Sequence, residues 1–428
     1  MENRITFKER IIIFNKLEKK LNKEFDISKQ TLFELLKYNN DFSQTFASLL
    51  VNIFLTFLSI LGIIIAKIKR LNKSHYFIIP KRSKIPYNDK RSESVFLKIP
   101  NSKTFNIVKC GSLKKSVFFF IYCPNTLFFN SILCLILFFN YKFSDNIIIN
   151  FKNYHKCLIL YSKIIKWVLN FLKIKKFFSI DDHRTSCLFQ RICRKLKIFS
   201  IGYMHGRFSA YQYGLTYDVF DCYLIWDSFF KEKLLKINKN YLNKKIIFIK
   251  NPNLKKINMK IKKKNKKKKI LYIYEENINY DNIISIFNKI SEHKNIKLEI
   301  KLRKNVLINE KILDYCRKKN IKLIYKSELS EIFKNGFFDI VLGHNSTLLY
   351  EAIYYNVLPL RINNNKLNYD DYIDDKFIHN LDINLYKLKY YLNANNSKKL
   401  IHLQNKIWKY HLSQFSIQNN NKLKSIFS

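Results

Sequence analysis

From residue 270 to residue 362 the chain alternates between two hydrophobic periods, and no other feature restricts its fold as much. "ILYIYEEN", "IKLEIKLRKN", "IKLIYK", "FFDIVLG" and "VLPLRI" are short apolar runs rich in β-branched and aromatic residues. Between them, Tyr280 to Ser291, Glu310 to Lys319, "SELSEIFKN" and "TLLYEAIYYN" carry apolar residues at helical spacing. Strands that read as continuous apolar runs and are separated by helices belong to a parallel sheet covered on both faces. The pattern predicts a Rossmann-like unit here.

A similar alternation occupies the preceding part of the chain. "YHKCLILYS" (154–162) and "KKFFSIDD" (175–182) read as strands, followed by a helix, "TSCLFQRICRKLK". Then come a strand, "IFSIGYMHG", and a strand passing into a helix, "DCYLIWDSFFKEKLLK". With 428 residues the chain is too long for one ordinary core. The expected fold class is therefore α/β, with two Rossmann-like domains facing a cleft and an N-terminal helical, partly hydrophobic extension. The expected divisions are an N-terminal segment at 1–75, a first domain at 76–250, a Lys-rich linker at 251–269, a second domain at 270–395 and a C-terminal helix at 396–428.

The N-terminal region raises the question of a membrane. "FASLLVNIFLTFLSILGIIIA" (46–66) has no charge over 21 residues, long enough to cross a bilayer. Seven Lys/Arg follow within "KIKRLNKSHYFIIPKRSK", which would keep the rest of the chain cytoplasmic. A span, an in-plane anchor and a buried helix all fit these residues. A second uncharged run, 118–139, contains Pro124 and two Asn and reads as a buried core strand and helix.

Lys and Arg number 78 against 32 Asp and Glu, a formal charge of +46. Such a balance suits nucleic acid or an anionic membrane. An AT-rich coding bias, visible in the abundance of Lys, Asn, Ile, Phe and Tyr, is a second source of the same charge. The lysines are dispersed rather than interleaved with aromatics, so no specific nucleic-acid partner is expected. None of the eight cysteines has C-x-x-C spacing, which points to reduced thiols rather than a zinc site or disulfide frame.

In parallel α/β sheets ligands bind beyond the carboxyl ends of the strands. "LGHNSTLLYEAIYYN" (342–356) places Gly343, Ser346 and Thr347 at such an end, with Glu351 one helical turn after Thr347. With only seven glycines in the chain, Gly343 suggests a backbone requirement. Ser346 and Thr347 can cap the helix or hold an anion, and Glu351 can accept hydrogen bonds from ribose hydroxyls. A plain cap with a surface Glu is the simpler reading of the same residues. "SIGYMHG" puts His205 after another strand, suited to act as a general base or as a hydrogen-bond donor to a phosphate if it is not structural. "SIDDHRTS" puts Asp182 after the neighbouring strand, and Arg303 follows "IKLEIKL" as a cation fit for a phosphate.

The strand ending in "HG", then "FDCYLIWDSFFKEKLL", "IKLRKN" and "GHNSTLLYEAIYYNVLPL" together resemble the GT-B glycosyltransferases of bacterial surface polysaccharides. That broad group holds capsule and lipopolysaccharide glycosyltransferases, sialyltransferases and CDP-glycerol glycerophosphotransferases. The resemblance covers residues 150–365. It implies a nucleotide-sugar donor on the second domain and a glycan or lipid-linked glycan acceptor on the first. It places Ser346 and Thr347 on the donor phosphates, Glu351 near the ribose and His205 in the cleft. The chain departs from the group at Arg303-Lys304-Asn305, where His-Pro is common, and at Asn356, where Gly is common. No D-x-D triplet occurs, so a metal-independent transfer without a cofactor is expected, with Asp182 or His205 as base. The expected setting is the cytoplasm, at the inner face of the membrane. A CDP-glycerol-type phosphotransferase and a non-enzymatic basic binder are the competing expectations.

Overall fold

The computed structural model describes residues 12–17, 46–68, 76–79, 104–107, 113–122, 126–142, 144, 146–180, 184–204, 215, 219–226, 228–249, 267–275, 279–302, 308–325, 331–333, 338–344, 346, 348–363, 378–393 and 399–402. The chain divides into two compact units between Ile249 and Lys250.

The first unit opens with α1 (Phe46–Ile68), β1 (Tyr76–Ile79), β2 (Thr104–Ile107), α2 (Leu113–Tyr122), β3 (Thr126–Leu127), α3 (Phe129–Asn140) and α4 (Ile147–Phe171). It continues with β4 (Lys176–Ile180), α5 (Arg184–Lys195), β5 (Phe199–Tyr203), β6 (Cys222–Ile225), α6 (Ser228–Ile237) and β7 (Lys245–Phe248). Its sheet runs β3-β2-β1-β4-β5-β6-β7, and every pairing is parallel. The chain steps outward from β1 to β3, returns beside β1 at β4, and then steps outward the other way.

One expectation for this unit is corrected. Residues 154–162 are not a strand but lie inside α4. Phe151, Tyr154, Leu158, Tyr161, Ile165 and Leu169 are buried at spacings of three and four, which is a helical stripe. The short apolar run looked strand-like only when taken without its flanks. The uncharged run 118–139 holds the expected buried strand and helix, β3 and α3, together with the end of α2. The strands β1 and β2 were not singled out from the sequence, because they have four residues each and stand in lysine-rich surroundings. The N-terminal helix α1 is fastened to this unit on one side. Leu55 and Leu58 pack with Phe128 in one cluster, and the Phe128 N–H donates to Ser59 Oγ at 2.8 Å.

The second unit holds β8 (Lys268–Ile273), α7 (Tyr280–Ser291), β9 (Ile296–Lys301), α8 (Glu310–Lys318), β10 (Lys322–Ile324) and β11 (Ile340–Gly343). It ends with α9 (Leu348–Tyr354), β12 (Leu358–Asn363), β13 (His379–Asp382) and α10 (Leu388–Leu392). Its sheet order is β10-β9-β8-β11-β12-β13, again all parallel. This is the doubly wound order of dinucleotide-binding domains, so the protein comprises two Rossmann-like units.

Local sequence explains the elements. Asn279 and Asn309 each cap a helix by accepting an N–H two residues on, at 2.9 Å. Ile283, Ile286, Phe287 and Ile290 turn one face of α7 into the core, where they meet Ile270, Tyr272, Ile300, Ile340 and Leu342 of the sheet. Asn356, where the resembled group commonly has Gly, has φ 57° after the last turn of α9. Asn is the non-glycine residue best suited to that left-handed position, so it does the same backbone work. β13 was not anticipated, and the linker is shorter than expected because Lys268 and Lys269 already belong to β8. Of the expected C-terminal helix, 399–402 are helical and the remainder lies outside the described residues.

Candidate functional site

In the second sheet the winding reverses between β8 and β11. The connections leaving those two strands diverge to opposite sides, which opens a crevice at their carboxyl ends. Tyr274 and Glu275 follow β8, while His344 and Ser346 follow β11 and lead into α9.

The two strand ends are tied together. The His344 backbone N–H donates to Glu275 Oε1 at 3.1 Å, and the His344 ring meets the Tyr272 hydroxyl, Nε2 to OH 3.0 Å. His344 is only 2% exposed. Burial lowers its pKa to about 4; the Ile362 backbone acts in the opposite sense, and the charge of Arg361 lowers it further. The imidazole is therefore neutral at pH 7. Burial also pushes the Tyr272 hydroxyl well above its ordinary value, so it keeps its proton, and which of the two groups donates follows the tautomer of the imidazole. Nδ1 makes no hydrogen bond of ordinary geometry.

The second unit buries further charged groups. Glu351 on α9 is 5% exposed, so it is not the surface Glu of the simpler reading. Arg361 on β12, opposite Gly343 in the register, is also buried. Lys301 ends β9, and burial lowers its pKa; its Nζ donates to the Leu302 carbonyl at 2.6 Å. Ionic groups this deeply withdrawn from water are costly unless paired or used.

The expected site residues divide into two sets. Gly343, Ser346 and Glu351 are described and share this strand–turn–helix. Ser346 Oγ accepts the Leu348 N–H at 3.2 Å, so it does cap α9, and its own O–H remains available to donate. A Cβ built on Gly343 would meet Ile273 and Leu349 at 3.5 Å, ordinary contact, so internal packing alone does not demand glycine there. Thr347, Arg303, Asp182 and His205 lie outside the described residues. The strands that precede Asp182 and His205, β4 and β5, are neighbours, with Ile180 paired to Tyr203.

His344, Tyr272, Glu275 and Arg361 were not singled out from the sequence. A signal existed for two of them. His344 directly follows the glycine of the strand end, and Arg361 is the lone charge in "VLPLRI". Tyr272 in "ILYIYEEN" looked like any core aromatic.

No protein-family model and no curated protein matches the chain. Among solved structures it is similar to a UDP-GlcNAc 2-epimerase from Neisseria meningitidis bound to UDP-GlcNAc, at 14% identity. The match covers 77% of this chain and 93% of that one, with a TM-score of 0.47. A co-structure of S. aureus MnaA with UDP is similar at 13% identity over 77% and 90% of the two chains, TM-score 0.46. The lipopolysaccharide outer core galactosyltransferase WaaB in its apo form is similar at 14% identity over 81% and 98%, TM-score 0.44. At this level of likeness the fold assignment rests on the strand order itself.

Proposed function

We propose that the protein is a glycosyltransferase that moves a sugar from a nucleotide-activated donor to a growing surface glycan. The observation that carries this reading is the winding reversal between β8 and β11, where the Gly343–Ser346 turn enters α9 among the buried His344, Glu351 and Arg361. A doubly wound sheet receives a nucleotide at that point. The transfer chemistry is supported by the resemblance of the "HG" and "NSTLLYEA" segments to GT-B glycosyltransferases.

In this reading Ser346 and Thr347 donate hydroxyl protons to the donor phosphates, and Arg303 neutralises the charge that develops on the leaving diphosphate. Glu351 is assigned to the ribose hydroxyls. Asp182 or His205 removes the proton from the acceptor hydroxyl as it attacks the anomeric carbon. The glycosidic bond forms as the sugar–phosphate bond breaks, and the nucleotide leaves with the bonding pair. The reaction is read as metal-independent, from the lack of a D-x-D triplet.

Calorimetric titration with a panel of nucleotide sugars, with CDP-glycerol included, tests the proposal. A nucleotide sugar should bind, and replacing both Ser346 and Thr347 by Ala should weaken it at least about tenfold, since each hydrogen bond to a charged phosphate contributes roughly 1.5–3 kcal/mol. The melting temperature is measured alongside, because loss of the helix cap costs about 1 kcal/mol. Binding of CDP-glycerol alone would replace glycosyl transfer by glycerophosphate transfer. Equal affinity in wild type and a folded double variant would remove this turn from the donor site.

A further inference from the structure

The most apolar helix of the chain is only half used by the fold. One side of α1 is fastened to the first unit: Leu55 and Leu58 pack on Phe128, Ser59 accepts the Phe128 N–H, and Thr56 Oγ1 lies 3.1 Å from Ser131 Oγ. On the other side Leu50, Ile53, Phe54, Phe57, Ile60, Ile64 and Ile68 are exposed, Phe57 by 54%. At 100° per residue these seven positions fall within about one third of the helix circumference, in a stripe about 27 Å long. It contains no polar side chain. Ser48, Asn52, Thr56 and Ser59 share the other side of the helix, two of them bonded to the fold, so an uncovered apolar stripe of this length is suited to lipid.

Two further features stand at the ends of this stripe. At the C-terminal end Lys67 Nζ lies 4.7 Å over the ring of Phe171, which stacks on Trp167, ring centroids 5.3 Å apart. Trp167 is 61% exposed. A tryptophan beside a lysine at the end of an apolar helix is the pairing favoured at the level of lipid headgroups. Toward the other end, Ser59 meets Phe128 while Thr56 meets Ser131, so α1 and α3 run antiparallel. That direction carries Phe138 and Phe139, both exposed, toward the N-terminal part of α1. The charge also fits: the chain carries a formal +46, and Lys67, Lys69, Arg70 and Lys73 come at the end of the helix and just after it.

We infer that α1 is an in-plane membrane anchor, which lies in the headgroup region of an anionic phospholipid bilayer with its Leu50–Ile68 stripe toward the acyl chains. It does not cross the bilayer. Crossing would part Ser59 from the Phe128 N–H and Thr56 from Ser131, and expose the Leu55, Leu58 and Phe128 cluster. Lipid instead covers the one face that the fold leaves open, and anionic headgroups meet the basic surroundings. The inference is independent of the chemistry proposed for the second unit.

Flotation of the purified full chain with vesicles tests it. The protein should float with phosphatidylglycerol–phosphatidylcholine vesicles and much less with phosphatidylcholine alone. F54E with F57E should reduce the bound fraction at least about tenfold, with an unchanged thermal transition, because both side chains point away from the fold. Equal flotation of wild type and variant would overturn the inference. So would a wild type that stays unbound while only the variant is monomeric, which would assign the face to a second copy of the chain. Depth separates anchor from span: Trp introduced singly at Leu50, Phe57 and Ile64 should all be quenched most by lipids brominated near the headgroup. Deepest placement of Phe57→Trp, with the other two shallow, would show a spanning helix instead.

Discussion

At their amino-terminal edges the two sheets are fastened alike; at its carboxyl-terminal edge the second sheet buries charge. Asp221, just before β6, accepts the Ser200 N–H from β5 at 2.9 Å and pairs with Lys244 at 3.1 Å. Asp339, just before β11, accepts the Lys269 N–H from β8 at 2.9 Å and pairs with Lys268 at 3.4 Å. In both cases one carboxylate closes the start of a parallel strand pair, near enough to water to cost little. The carboxyl edge of the second sheet instead holds His344, Glu351, Arg361 and Lys301 in buried positions. The same architecture thus keeps half-buried, paired carboxylates at one end and more deeply withdrawn charge at the end where a ligand would arrive, while Glu299 of β9 is buried in mid-strand beside Lys269 and Lys297.

Acid should separate the two edges most. His344 has its pKa lowered to about 4 from 6.5, so between these values the unfolded chain binds a proton that the folded chain refuses. Stability is therefore lost as pH falls through that window, by up to about 1.4 kcal/mol per pH unit. Denaturation measured from pH 7 to pH 4 should show a shallower loss for His344→Gln than for wild type. Identical slopes would mean that the histidine titrates normally. Asp221 contributes in a lower range: burial raises its pKa, but Ser200 and Lys244 outweigh this and hold it below the ordinary carboxylate value. That contribution is present above the ordinary range and disappears only as pH drops through the lowered value.

A smaller contrast is expected between two glycines. A Cβ on Gly202 in β5 would lie 2.6 Å from Phe220 and 2.7 Å from Tyr223, whereas one on Gly343 has room. Gly202→Ala should destabilise by about 1–3 kcal/mol, and Gly343→Ala should change stability by less than about 1 kcal/mol. If Gly343→Ala is stable yet weakens donor binding in calorimetry, the glycine serves an approaching ligand rather than the fold.

Removing the amino-edge carboxylates, as Asp221→Asn or Asp339→Asn, should cost about 1 kcal/mol each, and neither should alter nucleotide affinity. A change in affinity at either would break the division between edges. The smallest effect is expected at Asn356→Gly, a gain of a few tenths of a kcal/mol, read as a slight rise in melting temperature.

Much of the second unit was legible because its strands and helices are long enough to show their period. The strand into Gly343, α9 and β12 were readable from "FFDIVLG", "TLLYEAIYYN" and "VLPLRI". Ser346 as a helix cap was readable too, because an N-cap uses contacts two residues apart. The first unit was harder. Four-residue β1 and two-residue β3 carry too little pattern, and the apolar 154–162 segment matches a strand until the burial of Phe151, Ile165 and Leu169 around it is known.

The sequence by itself determined that the chain alternates strand and helix in two blocks, that its surface is strongly basic, and that one segment runs 21 residues without a charge. These are local properties, set by periodicity and side-chain chemistry. Only the tertiary structure decided that β11 lies beside β8, which brings His344 to Glu275 and Tyr272 from about seventy positions away in the chain. It also decided which half of α1 is covered. Both depend on the order in which strands and helices pack, and that order is fixed by contacts between distant segments, which no local period records.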